Sequence, residues 1–163
     1  MQKIIVPLLI FFIAASCSSS EENENPNENI STKEFNPKDH TCDYHNEALT
    51  DDRFGAKIET AEGEELIFCS VEGLIGHLLE NPSAESESKK WVVDYNKGKQ
   101  LIPVEDARFF RTELIHSPGG LQLLSYTGKK ELEENFHVAY GGGQISWEDA
   151  KKYVAEKWDL QAQ

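Results

Sequence analysis

The first part of the chain has the pattern of a cleaved leader. A single basic residue, Lys3, precedes an apolar run that ends in small residues directly before Cys17 and a polar Ser-Ser-Ser stretch. This order is typical of a bacterial lipoprotein signal peptide, and the apolar run is shorter than the roughly 20 residues of a membrane span. We therefore predict a signal peptide over residues 1–16 and a lipid on Cys17. An uncleaved anchor helix is the less favoured alternative.

A polar stretch follows the predicted lipidation site. Residues 17–40 consist mainly of Ser, Glu, Asn and Pro and contain few apolar side chains. Such a composition cannot bury enough surface to offset the loss of chain entropy on folding. We predict a lipid-anchored disordered linker over residues 17–40 and one folded domain over residues 41–163.

The first half of the predicted domain has the pattern of two strands, a helix and a third strand. Apolar positions around a Glu-Gly-Glu turn indicate a hairpin, and apolar residues then recur at helical spacing between Ser70, a favourable capping residue, and Asn81-Pro82. The predicted elements are strands over residues 55–60 and 65–69, a helix over residues 71–79, a polar loop over residues 83–90 and a strand over residues 91–95.

The second half repeats this order. The predicted elements are strands over residues 107–115 and 121–126, a helix over residues 129–136, a short strand over residues 144–146 and a last helix. Ser146 is followed three positions later by an acidic residue, which is a helix-start signal. We therefore predict an α+β fold made of duplicated β-β-α-β units in a single compact domain.

The charge balance restricts the partners. The chain has a net charge of −13, and removal of the leader with Lys3 brings it to −14. Nucleic acid and anionic lipid headgroups select clustered Lys and Arg, so neither is an expected partner. The sequence also has no Ser-His-Asp order, nucleophile elbow or zinc-protease helix, and we predict that the protein is not an enzyme.

Several short motifs in the predicted domain resemble one known family. They are Cys42-Asp43-Tyr44-His45, Asp51-Asp52-Arg53-Phe54-Gly55-Ala56, Trp91-Val92-Val93-Asp94, Ser117-Pro118 with Gly120, and Gly142-Gly143 before Trp147. Together they look like the NosL family, lipoproteins associated with copper delivery to nitrous-oxide reductase. The resemblance spans about residues 41–150 and implies the duplicated β-β-α-β fold and a copper(I) site of cysteine sulfur and methionine thioether.

The ligand positions depart from the family pattern. The resemblance places Cys-x-x-Cys-x-Met where this chain has Cys42, His45 and Glu47, and Ser/Thr-Pro-Met-Gly where it has Gly119 in place of Met. Met1 is the only methionine and lies in the predicted signal peptide. A thioether ligand is therefore excluded from the processed protein.

Three interpretations of the two remaining cysteines stay open: a metal site, a disulfide, or free thiols with neither role. Cys42 and His45 have a chelating spacing, Cys69 closes the strand before the first helix, and His40 or His116 could add a nitrogen. Thiolate and imidazole would hold copper(I) or zinc. Alternatively, a Cys42–Cys69 disulfide would stabilise the domain by roughly 3 kcal/mol in an oxidising compartment and leave no thiolate for metal.

The sequence thus predicts a NosL-type lipoprotein of the bacterial cell envelope. It would be anchored by its lipid to a membrane, facing the periplasm or the outer surface, and would bind copper for a metalloenzyme such as nitrous-oxide reductase or its maturation factors. The alternative is a metal-free interaction or scaffold lipoprotein closed by the disulfide.

Overall fold

The computed structural model describes residues 34–36, 40–128 and 130–160. The predicted signal peptide, Cys17 and most of the predicted linker lie outside the described residues. Phe35, which belongs to the stretch predicted as linker, is only 3% exposed and its N–H donates to the carbonyl of Lys99 at 2.6 Å. The folded part therefore includes residues 34–36, which the polar composition around Phe35 did not indicate.

The first unit forms a four-stranded antiparallel sheet in the order β2 (Glu65–Phe68), β1 (Ala56–Glu59), β3 (Lys89–Val93) and β4 (Leu101–Pro103). The predicted hairpin and the helix after it are present, and Ser70 caps that helix by accepting the Gly73 N–H at 3.2 Å. The elements are β1 (Ala56–Glu59), β2 (Glu65–Phe68), α1 (Val71–Glu80), α2 (Pro82–Glu87), β3 (Lys89–Val93) and β4 (Leu101–Pro103).

The second unit forms a three-stranded antiparallel sheet in the order β6 (Leu123–Tyr126), β5 (Arg108–Arg111) and β7 (Gly143–Ile145). A short 3-10 helix (Val104–Asp106) connects it to the first. Its elements are β5 (Arg108–Arg111), β6 (Leu123–Tyr126), α3 (Lys130–Tyr140), β7 (Gly143–Ile145) and α4 (Trp147–Trp158).

The two units share one topology. In each, the first strand is central and pairs in antiparallel fashion with the second and third strands, and a helix connects the second strand to the third. The predicted α+β fold of duplicated β-β-α-β units is confirmed, with β4 and α4 added after the first and second unit. The described residues contain no helix that is long and apolar enough to cross a membrane.

The largest differences from the sequence prediction concern three elements. The residues predicted as a polar loop begin with the helix α2, in which Pro82 occupies the first turn, where its missing N–H costs nothing. β4 was not predicted at all. The strand predicted over residues 107–115 ends at Arg111, because the Thr112 hydroxyl bonds the Tyr140 carbonyl and accepts the Leu114 N–H, which turns the chain.

The final helix packs against α1 and carries its last residue towards the metal-ligand candidates. Ser146 caps α4 as predicted, accepting the Asp149 N–H at 3.0 Å, and Ala150 and Val154 are buried. Asp159, directly after the helix, caps its C-terminal end in a left-handed conformation. Trp158, the last residue of α4, is thereby placed beside α1.

Candidate metal site

A tight loop before β1 holds two of the candidate ligands. Thr41 and Ala48 form an isolated antiparallel bridge, the Cys42 N–H donates to the Glu47 carbonyl, and the Asn46 N–H donates to the Cys42 carbonyl, both at 2.8 Å. Asn46 has a positive φ of 55°, a conformation that Asn tolerates better than most residues. Because the loop turns back within six residues, Cys42 and His45 face the same region.

The loop is fixed to β2, and this brings the third candidate ligand alongside. The Asp43 N–H donates to the Ile67 carbonyl at 2.8 Å, and the Asp43 carboxylate accepts the Ile67 N–H at 2.5 Å. Cys69 follows β2 directly, and its N–H donates to the Cys42 sulfur at 3.1 Å. This hydrogen bond holds Cys69 next to Cys42, although the two residues are 27 positions apart in the chain.

The Cys42, His45 and Cys69 side chains form one cluster. Their ligand atoms all lie within 4.8 Å of one another, and His45 Nδ1 lies 3.2 Å from the Cys69 sulfur and 3.6 Å from the Cys42 sulfur. Metal bonds of 2.3 Å to sulfur and 2.0–2.1 Å to nitrogen place two ligands of one ion about 3.5 to 3.8 Å apart. The cluster therefore fits a single thiophilic ion with little movement of its donors.

The two sulfurs differ in their preference for a proton. The pKa of Cys42 is lowered to about 4, because the Cys69 thiol donates to its sulfur and backbone N–H groups add to this, against the opposing effect of burial. The pKa of Cys69 is raised, because its thiol is bound to Cys42, is buried and lies near negative charge. Cys42 is therefore the sulfur of the pair that loses its proton more readily, and the thiolate is the form that binds metal.

Cys42 and Cys69 are not bridged in the structure, which therefore differs from the alternative of a Cys42–Cys69 disulfide. His40 and His116, predicted as further ligands, do not join the cluster. His40 is exposed and lines a separate cleft beside Lys57 and Glu65, and His116 is exposed in the loop after β5. Of the five residues predicted as metal ligands, the structure brings together three.

Aromatic residues surround the imidazole of the cluster. The Tyr44 and Trp158 rings stack with centroids 5.4 Å apart and planes 10° apart. His45 stands edge-on to both, at 5.1 Å from Tyr44 and 5.4 Å from Trp158. The Tyr44 hydroxyl donates to the Glu80 carboxylate at 3.1 Å, and burial together with this acceptor raises the pKa of Tyr44 to about 12.

Trp158 lies four residues after the buried Val154, on the side of α4 that packs against the domain, and it contacts His45 there. No local pattern connects residue 158 with the loop at residues 42–47, because their contact depends on how α4 packs against α1.

A buried carboxylate lies behind the cluster, on the first turn of α1. Glu72 is fully buried, and its Oε1 accepts the Ser117 hydroxyl and, at 3.0 Å, the Leu123 N–H. Its Oε2 has no hydrogen-bond partner among the described residues. A side chain at Gly119 would place its Cβ 2.6 Å from the Ser70 hydroxyl and 2.7 Å from Glu72 Cβ. The loop position at which the resemblance expects methionine is therefore closed against α1.

These features define an α+β domain with a small cluster of two sulfurs and one imidazole. No family model and no curated protein matches the sequence. A solved structure does match the fold: the crystal structure of the copper chaperone NosL from Shewanella denitrificans, with a TM-score of 0.56 and 20% sequence identity over 69% of this chain and 90% of that chain. The fold of this chain is thus NosL-like, and the neighbour is a chaperone rather than an enzyme.

Proposed function

We propose that this protein is a lipid-anchored copper-binding protein of the bacterial envelope, which carries copper(I) on Cys42, His45 and Cys69. The observation that carries the proposal is the cluster of three soft or borderline donors within 4.8 Å, in a NosL-like fold. Thiolate and imidazole are ligands that copper(I) and zinc accept readily, whereas oxygen ligands suit harder ions.

The composition of the cluster favours copper(I) over a structural zinc ion. Structural zinc is almost always held by four protein ligands, and the described residues offer a cluster of three. One ligand, His45, is part-exposed, while Cys42 and Cys69 are 0% and 5% exposed. A site with few ligands and one accessible side suits an ion that must be passed on, as in delivery to a metalloenzyme such as nitrous-oxide reductase.

Anaerobic titration of the reduced protein with cuprous ion tests the ligand set. We expect saturation at one ion per chain, loss of binding in Cys42→Ser and Cys69→Ser, and weaker binding in His45→Ala. His116→Ala is the matched control, because His116 is a histidine outside the cluster. Wild-type protein that takes up no copper, or cysteine variants that still bind one ion, would contradict the proposal.

Zinc offered under the same conditions provides the comparison between metals. We expect zinc to be displaced by an equimolar amount of cuprous ion, because soft thiolate donors favour copper(I). Retention of zinc against cuprous ion would instead identify a zinc site.

The anchor and the delivery step need separate experiments. Cells that express Cys17→Ser should release the protein from the membrane fraction, whereas wild type remains there. For delivery, the copper-loaded protein is mixed with copper-free nitrous-oxide reductase, and the recovery of copper in the enzyme is measured against free copper held by a chelator. No recovery above the chelator control would argue against this client.

A further inference from the structure

The cluster has one side that can open. The sulfurs of Cys42 and Cys69 are enclosed by the domain, and the His45 imidazole is the part-exposed donor. Rotation of this imidazole is therefore the smallest movement that would uncover a bound ion. Whatever fixes the imidazole also controls how readily the cluster opens.

Two aromatic rings, from residues near the start and the end of the domain sequence, restrict the orientation of the His45 imidazole. Tyr44 and Trp158 stack on each other, and the planes of both are nearly perpendicular to the imidazole, at 86° and 87°. Edge-to-face contacts between rings contribute about 0.5–1.5 kcal/mol beyond their burial. Two such contacts restrict the orientation in which Nδ1 points at the two sulfurs.

The rings themselves are held in place by α1. The Tyr44 hydroxyl is bound to Glu80 at the end of this helix. Gly76 has no side chain, and a Cβ there would lie 2.5 Å from Tyr44 Cζ and 2.8 Å from Trp158 Cζ3. The stacked pair thus lies directly on the helix backbone, in a space that only glycine leaves open.

We infer that Tyr44 and Trp158 are positioning residues, which hold the His45 imidazole against the two sulfurs and so slow the release of the bound ion. The inference rests on the proposed copper site and deepens it. It names the residues that govern how fast the cluster opens, whereas the proposed function names only those that bind.

Release kinetics of the copper-loaded protein test this inference. The rate of transfer to excess chromophoric cuprous chelator is measured for wild type, Trp158→Ala and Trp158→Phe, with one bound ion per chain at the start. We expect release at least tenfold faster in Trp158→Ala and near wild type in Trp158→Phe, which keeps a ring. Trp147→Ala is the matched control, because this part-buried tryptophan packs on Phe109 instead.

A double-substitution cycle separates positioning from a general loss of stability. If Trp158 acts through His45, then Trp158→Ala should have little further effect in a His45→Ala background. Unchanged release in Trp158→Ala would overturn the inference, and so would an equal acceleration in the His45→Ala background.

A measurement without metal distinguishes this inference from the proposed function. In the reduced metal-free protein, Trp158→Ala should shift the imidazole proton resonances of His45 and average them over several orientations, whereas Trp147→Ala should leave them unchanged. Resonances unaffected by Trp158→Ala would refute the positioning role even if no copper bound. Failure of copper binding with altered resonances would refute the proposed function alone.

Discussion

Two glycines on one face of α1 give opposite predictions for the same substitution. Gly73 and Gly76 are both buried and lie three residues apart, so they face the same side of the helix. A Cβ at Gly73 would meet its nearest neighbours at 3.5–3.6 Å, which is ordinary contact, chiefly with the His45 ring. A Cβ at Gly76 would lie 2.5 Å from Tyr44 and 2.8 Å from Trp158.

The expected magnitudes follow from these distances. Alanine is better than glycine within a helix by up to about 1 kcal/mol, so Gly73→Ala should raise the free energy of unfolding by about 0.5–1 kcal/mol. Gly76→Ala gains the same helix-propensity contribution, but its methyl group must displace the stacked rings of Tyr44 and Trp158. Overpacking costs about 1–3 kcal/mol, and loss of the aromatic contacts adds about 1 kcal/mol or more. The net effect at Gly76 should be a loss of about 1–3 kcal/mol.

Urea unfolding of the reduced, metal-free protein measures the difference. The free energy of unfolding falls by about 1–3 kcal/mol per molar urea. The unfolding midpoints of Gly73→Ala and Gly76→Ala should therefore differ by about 1 M, with that of wild type between them. Tryptophan fluorescence follows the transition and also reports displacement of Trp158 in the folded state. If Gly76→Ala were as stable as Gly73→Ala, then Tyr44 and Trp158 could not lie against the helix, and the reasoning about the imidazole would fail with it.

Other substitutions test the surroundings of the cluster by the same unfolding measurement. Glu72→Ala should cost about 2–5 kcal/mol, because it leaves two buried donors without an acceptor, and Glu72→Gln should cost clearly less because it keeps one acceptor oxygen; equal losses would contradict this. Gly119→Met should destabilise the domain and add no copper ligand, because its Cβ would lie 2.6 Å from the Ser70 hydroxyl; tighter copper binding by this variant would show that the loop can open. Ser146→Ala should cost about 1 kcal/mol through loss of the helix cap to Asp149, and no measurable change would contradict the cap.

Elements with both a periodic apolar pattern and a capping residue could be predicted from the sequence. Ser70 and Ser146 mark the starts of α1 and α4, and the alternation around the first turn gives the β1–β2 hairpin. α2 could not be predicted in this way because it buries none of its residues. Its Glu85 instead bonds Trp147 and Lys151 of α4, contacts that depend on the assembled fold.

The three clustered residues of the candidate site were all predicted from the sequence, but only the spacing of Cys42 and His45 indicates a chelate by itself. The contact of Cys69 with them depends on the pairing of Asp43 with Ile67, which no local pattern reveals. His40 lies closer in the chain to Cys42 than Cys69 does, and yet it points to another cleft. Proximity in the chain was therefore a poor guide, because the strand pairing decides which side chains converge.

The packing of the loop at residues 117–120 leaves no room for a side chain at Gly119, the position where the sequence resemblance led us to expect methionine. Gly119 lies tightly against Ser70 and Glu72. The loop thus serves as a structural contact between the second unit and α1, stabilised by the bonds from Glu72 to Ser117 and Leu123. The three candidate donors lie in the loop before β1 and directly after β2. In the proposed copper-binding role, an accepting protein would approach beside His45, because this is the part-exposed donor of the cluster.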